Sequence, residues 1–123
     1  MKKENALFCR KQGWHGRDAF QMGNDYVRLV TLTGGGHIAE FRFVGSGGRS
    51  TINPLWVPIW KTMEPSRFRP KRHAARYGDG GWAQLLAGIV GHNICLDYFG
   101  AASEEEAKQG LGGHGEAPVM RWR

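Results

Sequence analysis

Residues 26–44 decide the fold, and they read Tyr26-Val27-Arg28-Leu29-Val30-Thr31-Leu32-Thr33-Gly34-Gly35-Gly36-His37-Ile38-Ala39-Glu40-Phe41-Arg42-Phe43-Val44. The part before the glycines is dense in β-branched and aromatic side chains, which favour strands. The glycines supply the conformational freedom that a tight connection needs. From Ala39 to Phe43, apolar and charged side chains alternate with a period of two, typical of a half-buried strand. The stretch predicts an antiparallel β-hairpin.

The composition predicts one mostly β domain over residues 1–123. Nineteen glycines argue for turns rather than long helices, and five Trp, six Phe and three Tyr provide enough apolar bulk for a core. The polar, glycine-broken start through Gly23 predicts an irregular segment with at most one short strand. Residues 53–60, with Pro54 and Pro58, are expected to form an edge or a loop packed under the sheet by tryptophans.

Helical signals are confined to one place. Residues 63–81 carry Pro65 and Pro70 and are expected to form a long loop. Ser103, three carboxylates and then Gly110 give the pattern of a short capped helix, in which Glu106 reaches back to the first amides. We therefore expect a single short helix.

The charge is +6 and unevenly distributed, with a basic cluster at residues 67–76. Such a cluster can mark nucleic acid, a phosphorylated ligand or an anionic membrane, or it can be a solvated loop, which is the interpretation we favour. Cys9 and Cys95 are too few for a disulfide framework. The first ten residues lack the apolar core of a signal peptide, and no segment is long and apolar enough to span a bilayer. These features predict a cytoplasmic protein with free thiols and no membrane partner.

Residues 85–122 carry the candidate chemistry. An apolar, glycine-punctuated run over residues 85–100, which we expect to be a strand, precedes the motif His114-Gly115-Glu116-Ala117. A histidine near neutral pKa can donate a proton to a sugar oxygen or accept one, although a loop histidine is the plainer alternative. A zinc site of two cysteines and two histidines would need spacings that match no known pairing, so we expect no metal and no cofactor.

The order of these motifs resembles the galactose mutarotase (aldose 1-epimerase) superfamily and, within it, the hexose-6-phosphate epimerases. The resembling segments are Ala87-Gly88-Ile89-Val90-Gly91, Asp97-Tyr98-Phe99-Gly100 and His114-Gly115-Glu116-Ala117-Pro118 with Trp122; upstream they are Gly35-Gly36-His37-Ile38 and Asn53-Pro54-Leu55-Trp56. The resemblance runs from about Tyr26 onward and corresponds to the N-terminal third of such a protein.

The resemblance implies an antiparallel β-sandwich, here part of a supersandwich, that binds a hexose or hexose phosphate against aromatic side chains. It implies that His114 is the catalytic acid and that substrate contacts come from His92, Asp97, Tyr98 and Trp122. The family's catalytic glutamate has no counterpart within residues 1–123, and Ala87 and Pro118 replace two family arginines. We therefore expect a carbohydrate-binding domain with an incomplete or divergent isomerase site.

Two alternatives remain open. One is a non-catalytic β-sandwich that self-associates through exposed strand edges or pairs with another chain, because unpaired strands invite pairing. The other, less favoured, is a basic nucleic-acid-binding module that uses residues 67–76.

Overall fold

The protein is described by a computed structural model that covers residues 6–96 and 98–123. Within these residues the chain forms one sheet of four strands: β1 (Phe8–Trp14), β2 (Arg17–Gly23), β3 (Val27–Leu32) and β4 (Ile38–Phe43). Neighbours in sequence are neighbours in the sheet, and each pair is antiparallel. Short helices follow the sheet in sequence: α1 (Pro70–Tyr77), α2 (Ala83–Gly88) and α3 (Glu104–Lys108), with 3-10 turns at Ser46–Gly48, Pro65–Arg67 and Ala117–Val119.

The hairpin expected at residues 26–44 is confirmed as β3 and β4. The two strands pair from Val27 opposite Phe43 to Thr31 opposite Ile38, with a bulge after Val30. In the connection, Gly35 and Gly36 have φ values of 86° and 63°, which few other residues adopt without strain. A Cβ on Gly36 would also press against the Trp122 indole, so the glycine run lets the C-terminal segment lie close to the sheet.

The irregular start predicted for residues 1–23 is wrong for its described part, which forms the β1–β2 hairpin. Trp14 pairs with Arg17 across a two-residue turn in which His15 and Gly16 both have positive φ, the geometry of a type I′ turn. The polar strands are compatible with this pairing because Arg10 donates from its guanidinium to the Gln21 side-chain oxygen at 2.6 Å across the two strands. This cross-strand pair supports the register that the two-residue turn sets.

The helix expected after Ser103 is confirmed as α3. The Glu106 amide donates to the Ser103 hydroxyl, and the Ser103 amide donates to the Glu106 carboxylate at 2.7 Å, so both halves of the capping box are present. These hydrogen bonds with Ser103 lower the pKa of the Glu106 carboxyl group.

The expectation of a single helix is wrong, because α1 and α2 also form. Pro70 occupies the first turn of α1, where a missing amide costs nothing, and residues 83–87 are alanine, glutamine and leucine, all good helix formers. The apolar run at residues 85–100 therefore begins as a helix rather than a strand. Ile89 ends α2 in an extended conformation.

The core consists of two clusters on one side of the sheet and around the helices. The first contains Trp14, Ala19, Val30, Leu32, Ala39 and Val90; the second contains Phe68, Tyr77, Ala83 and Ala87 with Met63 against it. The expectation that tryptophans pack residues 53–60 under the sheet is wrong, since Trp56 and Trp60 remain 52% and 36% exposed. Among the described residues, no helix has the length and apolar character needed to cross a bilayer.

Candidate functional site

His114 lies in a glycine-rich turn and has a left-handed backbone with φ of 64°. Residues 113–116 form turns and a bend, so His114 lies in a loop. Left-handed backbone is uncommon for residues other than glycine and costs energy, so such positions are often associated with function. Gly115 follows with φ of 76°, and a Cβ there would collide with the Leu96 carbonyl oxygen.

The imidazole of His114 is held through its Nδ1 atom. The Gly100 amide donates to Nδ1 at 3.0 Å, and the His114 amide donates in return to the Gly100 carbonyl at 2.8 Å. A neutral imidazole whose Nδ1 accepts a hydrogen bond carries its proton on Nε2. The ring is therefore fixed in the tautomer that can donate from Nε2.

Two aromatic rings flank this imidazole. The Phe99 ring lies 4.6 Å from it between centroids at an interplanar angle of 35°, and the Trp82 ring contacts it edge-on at 5.1 Å. Phe99 is 85% exposed and Trp82 is 39% exposed. A cavity of only about 40 Å³ is lined by neighbouring residues such as Gly113 and Gly115 and by none of these three rings, which instead form an open surface.

The glycines before His114 bring Trp82 and Tyr98 close. A Cβ on Gly113 would overlap the Trp82 ring, and the Gly113 amide donates to the Gly81 carbonyl at 3.2 Å. The Tyr98 hydroxyl donates to the Gly112 carbonyl at 2.6 Å. The motif at residues 112–115 is therefore a close-packed platform, and substitution of its glycines would displace the rings.

The structure brings together only part of the residue set expected from the sequence. Tyr98 lies beside the platform, through its hydrogen bond to Gly112. His92 instead forms a β-bridge with Ile38 at the edge of β4, with amide–carbonyl hydrogen bonds of 2.8 and 3.0 Å. The Trp122 indole donates to the Ala117 carbonyl at 3.0 Å. Within residues 6–96 and 98–123, no hydrogen bond or ring contact joins His92 or Trp122 to His114. Asp97 lies outside the described residues.

Sequence reasoning missed Trp82 and Phe99 as members of the site. Trp82 follows Gly80 and Gly81, and its position over Gly113 is a long-range contact that spacing cannot reveal. Phe99 directly precedes Gly100. Its place before Gly100 in the segment at residues 97–100 that carries the resemblance is the only signal in the sequence that points to it.

Sequence reasoning also missed a buried polar centre, which lies against the connection between β3 and β4. Arg17 is 2% exposed and donates to the Gly88 carbonyl at 2.6 Å, the Gly34 carbonyl at 2.9 Å and the Thr62 hydroxyl at 3.2 Å. Its Nε atom lies 3.9 Å from the Glu64 carboxylate, which accepts the Asp18 amide at 2.8 Å. Burial lowers the pKa of Arg17, while the charge of Glu64 opposes that change.

His37 lies next to this centre and is completely buried. Its Nε2 atom is 3.1 Å from the Pro118 carbonyl oxygen, to which it donates in the neutral tautomer. Desolvation lowers the pKa of His37 to about 4, against the opposing effect of that hydrogen bond. His37 thereby ties the β3–β4 connection to the segment that carries His114.

Ala87 and Pro118, which stand where the resemblance implies arginines, have structural roles. Ala87 is fully buried in α2, and Pro118 is nearly fully buried in a 3-10 turn where its carbonyl accepts from His37. Neither residue supplies a charge to the His114 platform.

Metal ligation finds no support in the described part of the chain, where no group of three or more His, Cys, Asp or Glu side chains comes together. Cys9 and Cys95 are both free. Comparison of the chain with protein-family models, with curated proteins and with solved structures finds no match. The resemblance to the galactose mutarotases therefore rests on the sequence motifs.

Proposed function

We propose that the chain is a hexose-binding domain of the aldose 1-epimerase type, in which His114, Trp82 and Phe99 form the contact surface. The observation that carries the proposal is the His114 ring, held through Nδ1 by Gly100 and flanked by exposed aromatic rings. Binding sites for small molecules combine aromatic walls with a few fixed polar groups, and this surface has both. The Nε2–H would donate to a hydroxyl or ring oxygen while Phe99 covers an apolar face of the sugar.

The chemistry that such a histidine could contribute is proton donation. In mutarotation a base removes the proton of the anomeric hydroxyl, the bond between the anomeric carbon and the ring oxygen breaks, and an acid protonates the ring oxygen. The Nε2–H of neutral His114 can hydrogen-bond to the ring oxygen as that bond breaks. Full proton transfer from it requires the imidazolium form, in which Nδ1 is also protonated and no longer accepts the Gly100 amide. Among the described residues that contact His114 there is no candidate for the base, so we propose binding with an incomplete isomerase site.

Binding is tested by calorimetric titration with glucose, galactose and glucose 6-phosphate. We expect His114→Asn to weaken binding by about tenfold or more, the loss of one well-placed hydrogen bond and its ring. His92→Asn is the matched control, because His92 is an exposed histidine whose backbone bridges to Ile38, away from His114. Asparagine tolerates left-handed backbone, so His114→Asn should not unfold the protein. Equal affinities for both variants, or no hexose binding by the unsubstituted protein, would contradict the proposal.

A second candidate function is a sandwich half that associates with a second copy or another chain. The register aligns Met22, Leu29 and Phe41 on the sheet face opposite to Val30 and Leu32. Val30 and Leu32 are buried, whereas Met22, Leu29 and Phe41 are half-buried and Phe43 is 60% exposed. An apolar second face is what a packed partner sheet would cover in an antiparallel sandwich.

Strand-edge pairing is the other route to association. Among the described residues, β1 pairs with β2 alone, whereas loop residues cover β4: Asn53 accepts from the Phe41 amide and Thr51 from the Phe43 amide. Sedimentation equilibrium tests association, with Phe43→Ser expected to dissociate a face-packed dimer. A monomer at all concentrations would remove this second candidate.

A further inference from the structure

A groove of about 430 Å³ lies beside α1, away from the residues that hold His114. One wall is formed by residues 61–63 and the other by one face of the helix; its lining is Lys61, Thr62, Met63, Arg72, His73, Ala75, Arg76 and Tyr77. This lining contains three cationic side chains and no carboxylate. Its volume is that of a small-molecule site.

The cationic side chains of the groove are not neutralised by the protein. Lys61, Arg72 and Arg76 are exposed, and none of them forms an ion pair within residues 6–96 and 98–123. Arg72 and Arg76 are four residues apart on α1, a spacing at which like charges destabilise a helix. An anion between them would turn this repulsion into attraction.

The walls of the groove are fixed by contacts of its own lining. The Tyr77 hydroxyl donates to the Lys61 carbonyl at 2.6 Å, which fastens α1 to the opposite wall. The His73 Nδ1 atom accepts the Arg69 amide at 2.9 Å at the start of α1. The His73 ring packs in a triangle with those of Phe68 and Tyr77, whose centroids are 5.7 and 6.5 Å from it and 6.5 Å from each other. The neutral His73 ring therefore carries its proton on Nε2, a further donor among the lining residues.

We propose that this groove binds the phosphate monoester group of a small ligand, through Lys61 and the guanidinium groups of Arg72 and Arg76. Guanidinium groups match phosphate oxygens in paired hydrogen bonds, and lysine supplies a point charge. The site is separate from the His114 platform and does not depend on hexose binding there.

The neighbouring cavity can hold the uncharged part of the ligand. It has a volume of about 510 Å³, is lined by Trp14, His15 and residues 57–62, and shares Lys61 and Thr62 with the basic groove. The His15 imidazole stacks on the Trp14 indole at 4.0 Å between centroids, and Trp60 is partly exposed. A ring that carries a phosphate could occupy both cavities across Lys61.

A single-stranded nucleic acid fits the groove less well. Such ligands need exposed aromatic side chains between the basic ones, on which bases stack. The aromatic residues within and directly after residues 67–76 are Phe68 and Tyr77, which are buried at 8% and 7% exposure; the exposed Trp60 lies in the neighbouring cavity and not between the basic side chains. The observations therefore favour a compact phosphate over a polynucleotide.

Calorimetry at low ionic strength tests the proposal with inorganic phosphate, glucose 6-phosphate, glucose and a decamer oligodeoxynucleotide as probes. We expect both phosphate compounds to bind, and Arg72→Gln and Arg76→Gln each to weaken them about tenfold. Lys71→Gln is the matched control, because Lys71 is an exposed cation on α1 that does not line the groove. It should leave the phosphate affinity unchanged.

The relative affinities of the four probes test the proposal further. If glucose 6-phosphate binds more tightly than inorganic phosphate, the sugar part of the ligand occupies the neighbouring cavity. Equal affinities indicate that the groove binds free phosphate. No binding of either, equal loss in Lys71→Gln, or tighter binding of the decamer overturns the proposal. In His114→Asn we expect the affinity for inorganic phosphate to be unchanged, and a loss there would move the phosphate to the His114 platform. If glucose binding depends on His114 and the protein does not bind phosphate, the phosphate proposal fails and the hexose proposal is retained.

Discussion

Gly100 and His114 are joined by a reciprocal pair of hydrogen bonds: the Gly100 amide donates to His114 Nδ1 at 3.0 Å, and the His114 amide donates to the Gly100 carbonyl at 2.8 Å. The two hydrogen bonds join the two ends of the loop that contains α3, so the capped helix lies in a loop whose ends are held together. Because the ring and the backbone of His114 are both engaged, the imidazole has one orientation relative to Phe99 and Trp82.

This pair predicts the tautomer of His114. Nitrogen-15 spectra of the neutral imidazole should show a protonated Nε2 and an unprotonated Nδ1, because Nδ1 accepts the Gly100 amide. The same spectra should show the Gly100 amide proton shifted downfield by its hydrogen bond. A protonated Nδ1 in the neutral ring would contradict the geometry.

The buried guanidinium of Arg17 predicts a large loss of stability when it is removed. Arg17→Met keeps the length of the side chain but leaves the carbonyls of Gly34 and Gly88 without their donor and Glu64 without its cation. Breaking a buried charged pair of this kind costs about 3–5 kcal/mol in free energy of unfolding. Urea denaturation measures it.

The control is Arg121→Met, which removes the ion pair between Arg121 and Asp18 at 3.4 Å. Both side chains are more than half exposed, so the loss should stay within about 1 kcal/mol. Similar losses for the two variants would show that Arg17 is not the anchor that its contacts indicate.

His37 predicts acid sensitivity of the fold. Its pKa is about 4 in the folded chain, against an ordinary value of 6.5, because burial disfavours the charged ring. The unfolded chain therefore binds the proton first as the pH falls. The stability contributed by neutral His37 is complete above about pH 6.5 and is lost as the pH falls from there towards 4, by about 3 kcal/mol in total.

Urea denaturation at pH 7 and pH 4.5 checks this prediction against two variants. His37→Gln retains an amide that can donate to the Pro118 carbonyl but does not titrate, so its stability should fall less between the two pH values. His92→Gln changes an exposed histidine and should keep the pH dependence of the unsubstituted protein. An unchanged dependence in His37→Gln would assign the acid sensitivity to other groups.

Gly113 predicts a steric effect at the platform. In Gly113→Ala the new methyl group would overlap the Trp82 ring, and such overpacking costs about 1–3 kcal/mol. Gly81→Ala is the control on the facing segment, since a Cβ there meets no atom within 4 Å and the backbone is not left-handed. Thermal unfolding should show a lower midpoint for Gly113→Ala only; a lower midpoint for both would point to backbone flexibility instead.

The parts of the fold that follow from the sequence are those determined locally. The β3–β4 hairpin has clear alternation and a glycine connection, and Ser103 with Glu106 carries a complete capping signal. The β1–β2 hairpin escapes prediction because its strands are polar and its turn uses His15 rather than the usual asparagine or aspartate. The apolar character of residues 85–88 suggests a strand, but their helix propensity decides the outcome, because Ile89 is the first β-branched residue of that run.

The candidate site is predictable from the sequence only in part, because some of its contacts join residues that are far apart in the chain. His114 and Tyr98 belong to motifs that lie close in sequence, and loop geometry brings them together. Trp82 joins them through a contact over Gly113, and His92 lies apart because its backbone bridges to Ile38. Contacts of that kind depend on the tertiary arrangement of α2 and β4, which the local pattern does not specify.

The most direct test of hexose binding at His114 is a titration of the nitrogen-15-labelled protein with glucose or galactose, followed by two-dimensional NMR. The Gly100 amide and the His114 Nε2 resonance should shift together along one saturation curve, with the Trp82 indole following. The His92 and Trp122 resonances should move less, because neither residue contacts His114. Hexose-dependent shifts confined to other residues, or none at millimolar sugar, would contradict the account.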